Sequence, residues 1–88
     1  MIQREISIKN RAGLHTRPAA SLVKLAAKYK ADFFIEKDGM EINGKSIIGV
    51  MTLAAEQGSK LLVRFAGEDE EEASKAIIDL IDRGFDEK

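Results

Sequence analysis

The stretch Phe33-Phe34-Ile35-Glu36-Lys37-Asp38-Gly39-Met40-Glu41-Ile42-Asn43-Gly44-Lys45-Ser46 decides the fold, because it admits two incompatible readings. As a motif, Gly39 to Ser46 satisfies G-x-x-x-x-G-K-[ST], the loop that cradles nucleotide phosphates between a parallel strand and a helix. As a pattern, Phe33, Phe34 and Ile35 form a β-prone run, Asp38-Gly39 is a two-residue hairpin signal, and Met40 to Asn43 alternate apolar and polar. A phosphate loop must wrap its N–H groups around one point, which an alternating strand does not do. It also belongs to parallel sheets with long crossovers, and a chain of 88 residues leaves little room for them. The hairpin reading follows, and nucleotide hydrolysis is set aside.

Working outward, Ser46 precedes Ile47, Ile48, Val50, Met51, Leu53 and Ala54, a short helix for which it is a natural N-cap, and Gly58 ends the unit. Leu61, Val63 and Phe65 alternate with Lys60, Leu62 and Arg64 as a further strand. Ala73, Ala76, Ile77, Leu80 and Ile81 mark a last helix, with acids from Glu68 to Glu72 at its positive end and Gly84 just past its stop. Toward the N-terminus, Ile2, Ile6 and Ile8 alternate as a strand, interrupted at Arg4, and Asn10-Arg11-Ala12-Gly13 reads as a loop. From Pro18 onward, Ala19, Leu22, Val23 and Ala26 fall at i, i+3, i+4 and i+7, the stripe of an amphipathic helix whose first turn suits Pro18. The order is βαββαβα. Helices that must each bury one stripe predict an α+β layer: a four-stranded, mostly antiparallel sheet with three helices on one face, in one domain spanning 1–88.

With 44% hydrophobic and 33% charged residues the composition is globular, and no cysteine is present, which excludes disulfides, thiolate metal sites and cysteine nucleophiles. The start, Met1 to Glu5, lacks the apolar stretch of a signal peptide, so a cytoplasmic, unanchored protein is expected. The formal net charge of -1 gives no reason to expect nucleic acid or membrane as partner. It conceals segregation: Lys9, Arg11, Arg17, Lys24, Lys28 and Lys30 stand between Glu5 and Asp32 with no acid among them, whereas Glu68 to Lys88 holds nine acids against three bases. Such blocks are ordinarily solvated helix faces; a basic docking surface for an acidic partner is the sharper alternative.

All imidazole chemistry must pass through His15, the one histidine. In Gly13-Leu14-His15-Thr16-Arg17-Pro18-Ala19 a glycine-containing turn delivers the imidazole to a helix N-terminus, where free N–H groups and the dipole favour an anion, and Arg17 adds fixed donors two residues away. A neutral imidazole has little use for that setting; a phosphorylated one has much. Imidazole is a competent nucleophile at neutral pH and, protonated, a good leaving group, so a phosphoryl group placed on it can be passed on. A metal is disfavoured because no second histidine or cysteine completes a site, and no cofactor is called for.

These residues, together with Gly44-Lys45-Ser46-Ile47-Ile48-Gly49-Val50-Met51-Thr52-Leu53, resemble the HPr family, the histidine-containing phosphocarriers of the phosphoenolpyruvate-dependent phosphotransferase system. The resemblance covers essentially the whole chain and implies an open-faced β-sandwich. It implies that enzyme I passes a phosphoryl group to Nδ1 of His15 and that the carrier, a covalent relay rather than an independent enzyme, hands it to IIA domains of sugar permeases. Arg17 would steady the phosphoryl oxygens and Pro18 would set the helix start. Ser46 would be the regulatory site of an ATP-dependent kinase and phosphatase, with a transcriptional regulator as a further partner, and the added charge would obstruct acidic partners. Thr16, Arg17, Lys24, Ile47, Ile48 and Met51 would contact partners, since the three apolar residues cannot all face the core of one short helix. A monomer is expected. Thr16 stands where the family often has Ala, and is itself a possible N-cap. The ending Ile81 to Glu87 resembles the nitrogen-related branch, so a nitrogen-branch or purely regulatory protein acting through binding stands as the alternative.

Overall fold

The computed structural model describes residues 1–87. Its elements run β1 (Ile2–Ser7), α1 (Thr16–Ala26), β2 (Asp32–Lys37), β3 (Met40–Asn43), α2 (Ile47–Thr52), β4 (Lys60–Ala66), α3 (Glu70–Asp82) and a 3-10 turn at Gly84–Asp86. The βαββαβα order is that expected from the sequence. The sheet order is β1-β4-β2-β3 and every neighbouring pair is antiparallel, so "mostly antiparallel" becomes wholly antiparallel among the described strands.

The hairpin is the part fixed most locally. Asp38 and Gly39 both take positive φ, 51° and 84°, the handedness that a two-residue turn needs to match strand twist. Pairing Glu36 with Glu41 and Ile35 with Ile42 follows from that turn, and the phosphate-loop reading fails because Met40–Asn43 lies in the sheet. Lys45, the motif's would-be phosphate ligand, donates its Nζ to the Tyr29 carbonyl at 2.7 Å.

Register then sorts the faces. Ile2, Phe65 and Phe33 form one row across the sheet, Val63, Ile35 and Ile42 another, and Ile6 and Leu61 a third, all on the side the helices cover. The Phe33 and Phe65 rings stack, with centroids 4.9 Å apart and planes 5° from parallel. Leu22, Val50, Ile77 and Ile81 bring the helix stripes onto these rows. The opposite face carries charge, with Arg64 paired to Glu36 and Glu41. Arg4, which breaks the alternation of β1, is exposed on an edge strand, where a charge also discourages edge-to-edge pairing.

The helix ends show where local rules yield. Asp69 precedes α3 but its side chain does not cap it; both carboxylate oxygens instead reach across to α1's exit, accepting from Lys30 N–H at 2.9 Å and Ala31 N–H at 2.8 Å. Those bonds, the one from Lys30 foremost, hold the Asp69 carboxyl below its ordinary value. Glu70 is lowered too, first by the Gly67 N–H and then by the N-terminal ammonium of Met1, 3.1 Å away.

A depressed carboxyl contributes stability that is complete above its ordinary pKa and is lost as pH falls through its lowered, folded-state value. The urea midpoint should therefore fall below the ordinary carboxylate range, about 3.9 to 4.3. Asp69→Asn should lower the midpoint at neutral pH and flatten that acid limb. An acid limb unchanged in the variant would contradict the assignment.

Candidate functional site

The loop between β1 and α1 is laid against the loop after α2. Leu14 N–H donates to the Ala55 carbonyl at 2.9 Å and Gly13 N–H to the Asn10 carbonyl at 3.2 Å. Gly13 has φ 71°, and a Cβ there would overlap the Ala55 carbonyl oxygen, so both the angle and the approach require glycine. Leu14 is buried by this docking, and the next residue must leave the surface: His15 is extended, at φ -79° and ψ -174°, with its side chain 42% exposed.

His15 is also the N-cap of α1, which corrects the alternative of Thr16 in that place. Its carbonyl accepts the first helical bond, from Ala19 N–H at 3.0 Å, while its imidazole makes no capping bond and remains available. Thr16 and Arg17 then occupy the first two helical positions, whose N–H groups have no partner four residues back. Pro18 is third, buried, with no N–H to leave unsatisfied. Two amides without an intrahelical partner thus open the positive end of an 11-residue helix whose N-cap is His15. Arg17 is exposed and forms no ion pair among the described residues. Arg11, Ala12, His15, Arg17, Asp86 and Glu87 line one shallow depression there.

Sequence reasoning missed one member. Glu87 lies 3.0 Å (Oε2) and 3.3 Å (Oε1) from His15 Nε2, and its Oε1 accepts from Asn10 Nδ2 at 2.8 Å. An ionised carboxylate only accepts, so Nε2 is the nitrogen that donates to Glu87, and Nδ1 is the nitrogen that this contact leaves for other chemistry. The tail is brought back by Gly84 against Asn10, by burial of Phe85, and by Arg83, which pairs with Asp79 and at 2.8 Å with Asp86. Asp86 first, then Asp79, raises the Arg83 pKa. A contact spanning 72 residues leaves no periodic signal; the only hint was the acidic ending.

Ser46 is the N-cap of α2, as its position predicts, its Oγ accepting from Gly49 N–H at 3.2 Å. One face of α2 buries Val50, and α2 packs beside α1. The other leaves Ile47, Ile48 and Met51 at 38%, 77% and 43% exposure, in keeping with the expectation that the three cannot all face the core. Lys24 is exposed on α1. The helix stops at Thr52, short of the expected Ala54, because Ala54 turns to φ 49°.

Residues 2–83 match the family model described as the PTS HPr component phosphorylation site. The chain belongs to the HPr family. The phosphocarrier protein HPr of Xylella fastidiosa is 41% identical over 87 residues, covering 99% of this chain and 98% of its own. Among solved structures, HPr of Thermoanaerobacter tengcongensis superposes with a TM-score of 0.96 at 45% identity, covering 100% of this chain and 99% of that one. The family also includes Crh, a catabolite-repression protein of Bacillus subtilis: a structure described as a domain-swapped dimer, TM-score 0.77 and 37% identity, covers 96% of this chain and 97% of that one. The HPr fold and a general phosphocarrier role in the phosphotransferase system thus apply to this chain.

If the Gly13 approach positions the loop, Gly13→Ala should cost about 2 kcal/mol or more of unfolding free energy. It should also shift the His15 ring resonances in NMR spectra of the folded protein. Unchanged stability and unchanged ring shifts would show that the loop tolerates a Cβ and that the docking is not the constraint.

Proposed function

We propose that the chain is a cytoplasmic phosphocarrier domain that accepts a phosphoryl group from phosphorylated enzyme I on His15 and passes it to IIA domains of sugar permeases. One observation carries this reading: an exposed imidazole whose Nε2 is engaged by Glu87 while Nδ1 is left for a phosphoryl group, at the N-cap of a helix whose first turn carries Arg17, which has no ion pair among the described residues. Nδ1 attacks phosphorus; the amides of Thr16 and Arg17 and the guanidinium take the phosphoryl oxygens. An open depression suits the role, since donor and acceptor proteins must each reach the same atom. No described helix is long and apolar enough to cross a membrane.

Partner contact is assigned to Thr16, Arg17, Lys24, Ile47, Ile48 and Met51. Apolar side chains already exposed on α2 offer burial without rearrangement, and the basic residues of α1 steer acidic partners into fast, brief encounters. Action as a monomer keeps the imidazole and this patch open together. Phosphorylation of Ser46 by a kinase is the proposed regulation. The added charge would sit at a helix start, where it is tolerated, and face the partner, where it repels.

A second, purely regulatory or nitrogen-branch reading draws on the Ser46 cap beside the exposed apolar face and on the likeness to Crh. Incubation with enzyme I and labelled phosphoenolpyruvate separates the two. Acid-labile, base-stable label is expected on the wild type, none on His15→Ala, and a rate lowered about ten- to a hundredfold in Arg17→Ala. Label retained in His15→Ala sinks the carrier assignment, and labelling of Ser46 alone by a kinase supports the regulatory one.

A further inference from the structure

We propose that Glu87 is a positioning residue for His15: its carboxylate, held by Asn10, keeps the imidazole proton on Nε2 through phosphoryl arrival and departure. The inference rests on the reading of His15 as phosphoryl acceptor and deepens it.

Asn10 is 5% exposed, and its Nδ2 donates to both the Gly13 carbonyl and Glu87 Oε1, each at 2.8 Å. Its Oδ1 has no partner among the described residues. Turning the amide over would set that oxygen against the Gly13 carbonyl and the Glu87 carboxylate, two acceptors, so the neighbours fix the orientation. A buried amide with an orphaned oxygen is costly, and the arrangement persists because it ties the active loop to the tail. Glu87 adds its own N–H to the Gly84 carbonyl at 3.0 Å, so the carboxylate is held at both its backbone and its head. The His15–Glu87 bond is then the last link of a chain from Gly13 through Asn10, in which a carboxylate orients an imidazole from behind.

The chemistry gives the proton its importance. In the acceptor step the Nδ1 lone pair forms the N–P bond while the bond to the donor breaks, its electron pair leaving with the donor. No proton moves; Nε2 keeps its hydrogen and the ring becomes cationic, with the positive charge facing Glu87. In the donor step the acceptor's nucleophile forms its bond to phosphorus as the N–P bond breaks, the N–P pair returns to Nδ1, and the ring departs as neutral imidazole. Were the Nε2 proton lost in between, departure would generate imidazolate, a far poorer leaving group. The carboxylate favours the nucleophilic tautomer first and the cationic intermediate afterwards.

The test uses full-length protein with ring-15N-labelled histidine, at a pH where free imidazole is neutral. Wild type should show a protonated Nε2 and an unprotonated Nδ1 in long-range 1H–15N spectra. Glu87→Ala should move both nitrogens toward the mixed tautomers of free imidazole, while Glu87→Gln, whose amide oxygen still accepts, should keep the wild-type pattern. Phosphoryl transfer should slow about three- to tenfold in both variants, because neither carries the charge that faces the cation. Identical ring shifts in wild type and Glu87→Ala would overturn the proposal, as would undiminished transfer in Glu87→Gln. If wild type takes no phosphoryl group at all, the acceptor reading falls, and the ring shifts still decide whether Glu87 sets the tautomer.

Discussion

The structure depends on one close approach, the backbone of Gly13 and Leu14 against the carbonyl of Ala55. It ties the loop leaving the edge strand β1 to the loop entering β4, the strand beside it, and is followed on the same seam by bonds from Ile8 N–H to Ser59 and from Gly58 N–H to Ile8. With Leu14 drawn into the core, His15 has nowhere to go but outward, and α1 begins at that residue. Exposure of the imidazole is therefore set by backbone and helix position. No enclosed pocket is needed, and a chain of 88 residues has little interior from which to make one.

That economy divides the molecule. The helix-facing side of the sheet holds the apolar rows and the Phe33–Phe65 stack; the other side is a solvated lattice around Arg64. Charge is divided as well. The His15 end of α1 is basic, and α3 opens with Glu70, Glu71 and Glu72 at its own positive end, where their charge is favourable. A near-neutral total thus hides a local division beside His15, where Arg11 and Arg17 share one depression with Asp86 and Glu87 of the tail. The exposed apolar side chains of α2 are few, as suits a partner that must be released.

Much of this was legible because it is local. The Asp38-Gly39 turn, the Ser46 cap, the alternation of Leu61, Val63 and Phe65, and Gly84 past the last helix each depend on neighbours within a few residues. The place of His15 and Arg17 at the start of α1 was legible for the same reason. Long-range geometry was not. Placement of β4 between β1 and β2 follows from how three helices share one face, and no single strand's pattern encodes it. Asp69 stands at the N-cap position of α3, but its side chain serves the amides of Lys30 and Ala31, because tertiary partners outcompete the local one. Asn10 read as a loop residue and Glu87 as part of an acidic tail; only folding across more than 70 positions makes them neighbours of the histidine.

The central claim is that Nδ1, backed by an Nε2 that donates to Glu87, is the atom that carries phosphorus. It is tested most directly by 31P–15N coupling in phosphorylated, ring-15N-labelled protein. Phosphorus coupled to Nδ1, with Nε2 bearing a proton, is the predicted result. Coupling to Nε2, the nitrogen that faces Glu87, or phosphorus bound to a hydroxyl oxygen instead, would contradict the account.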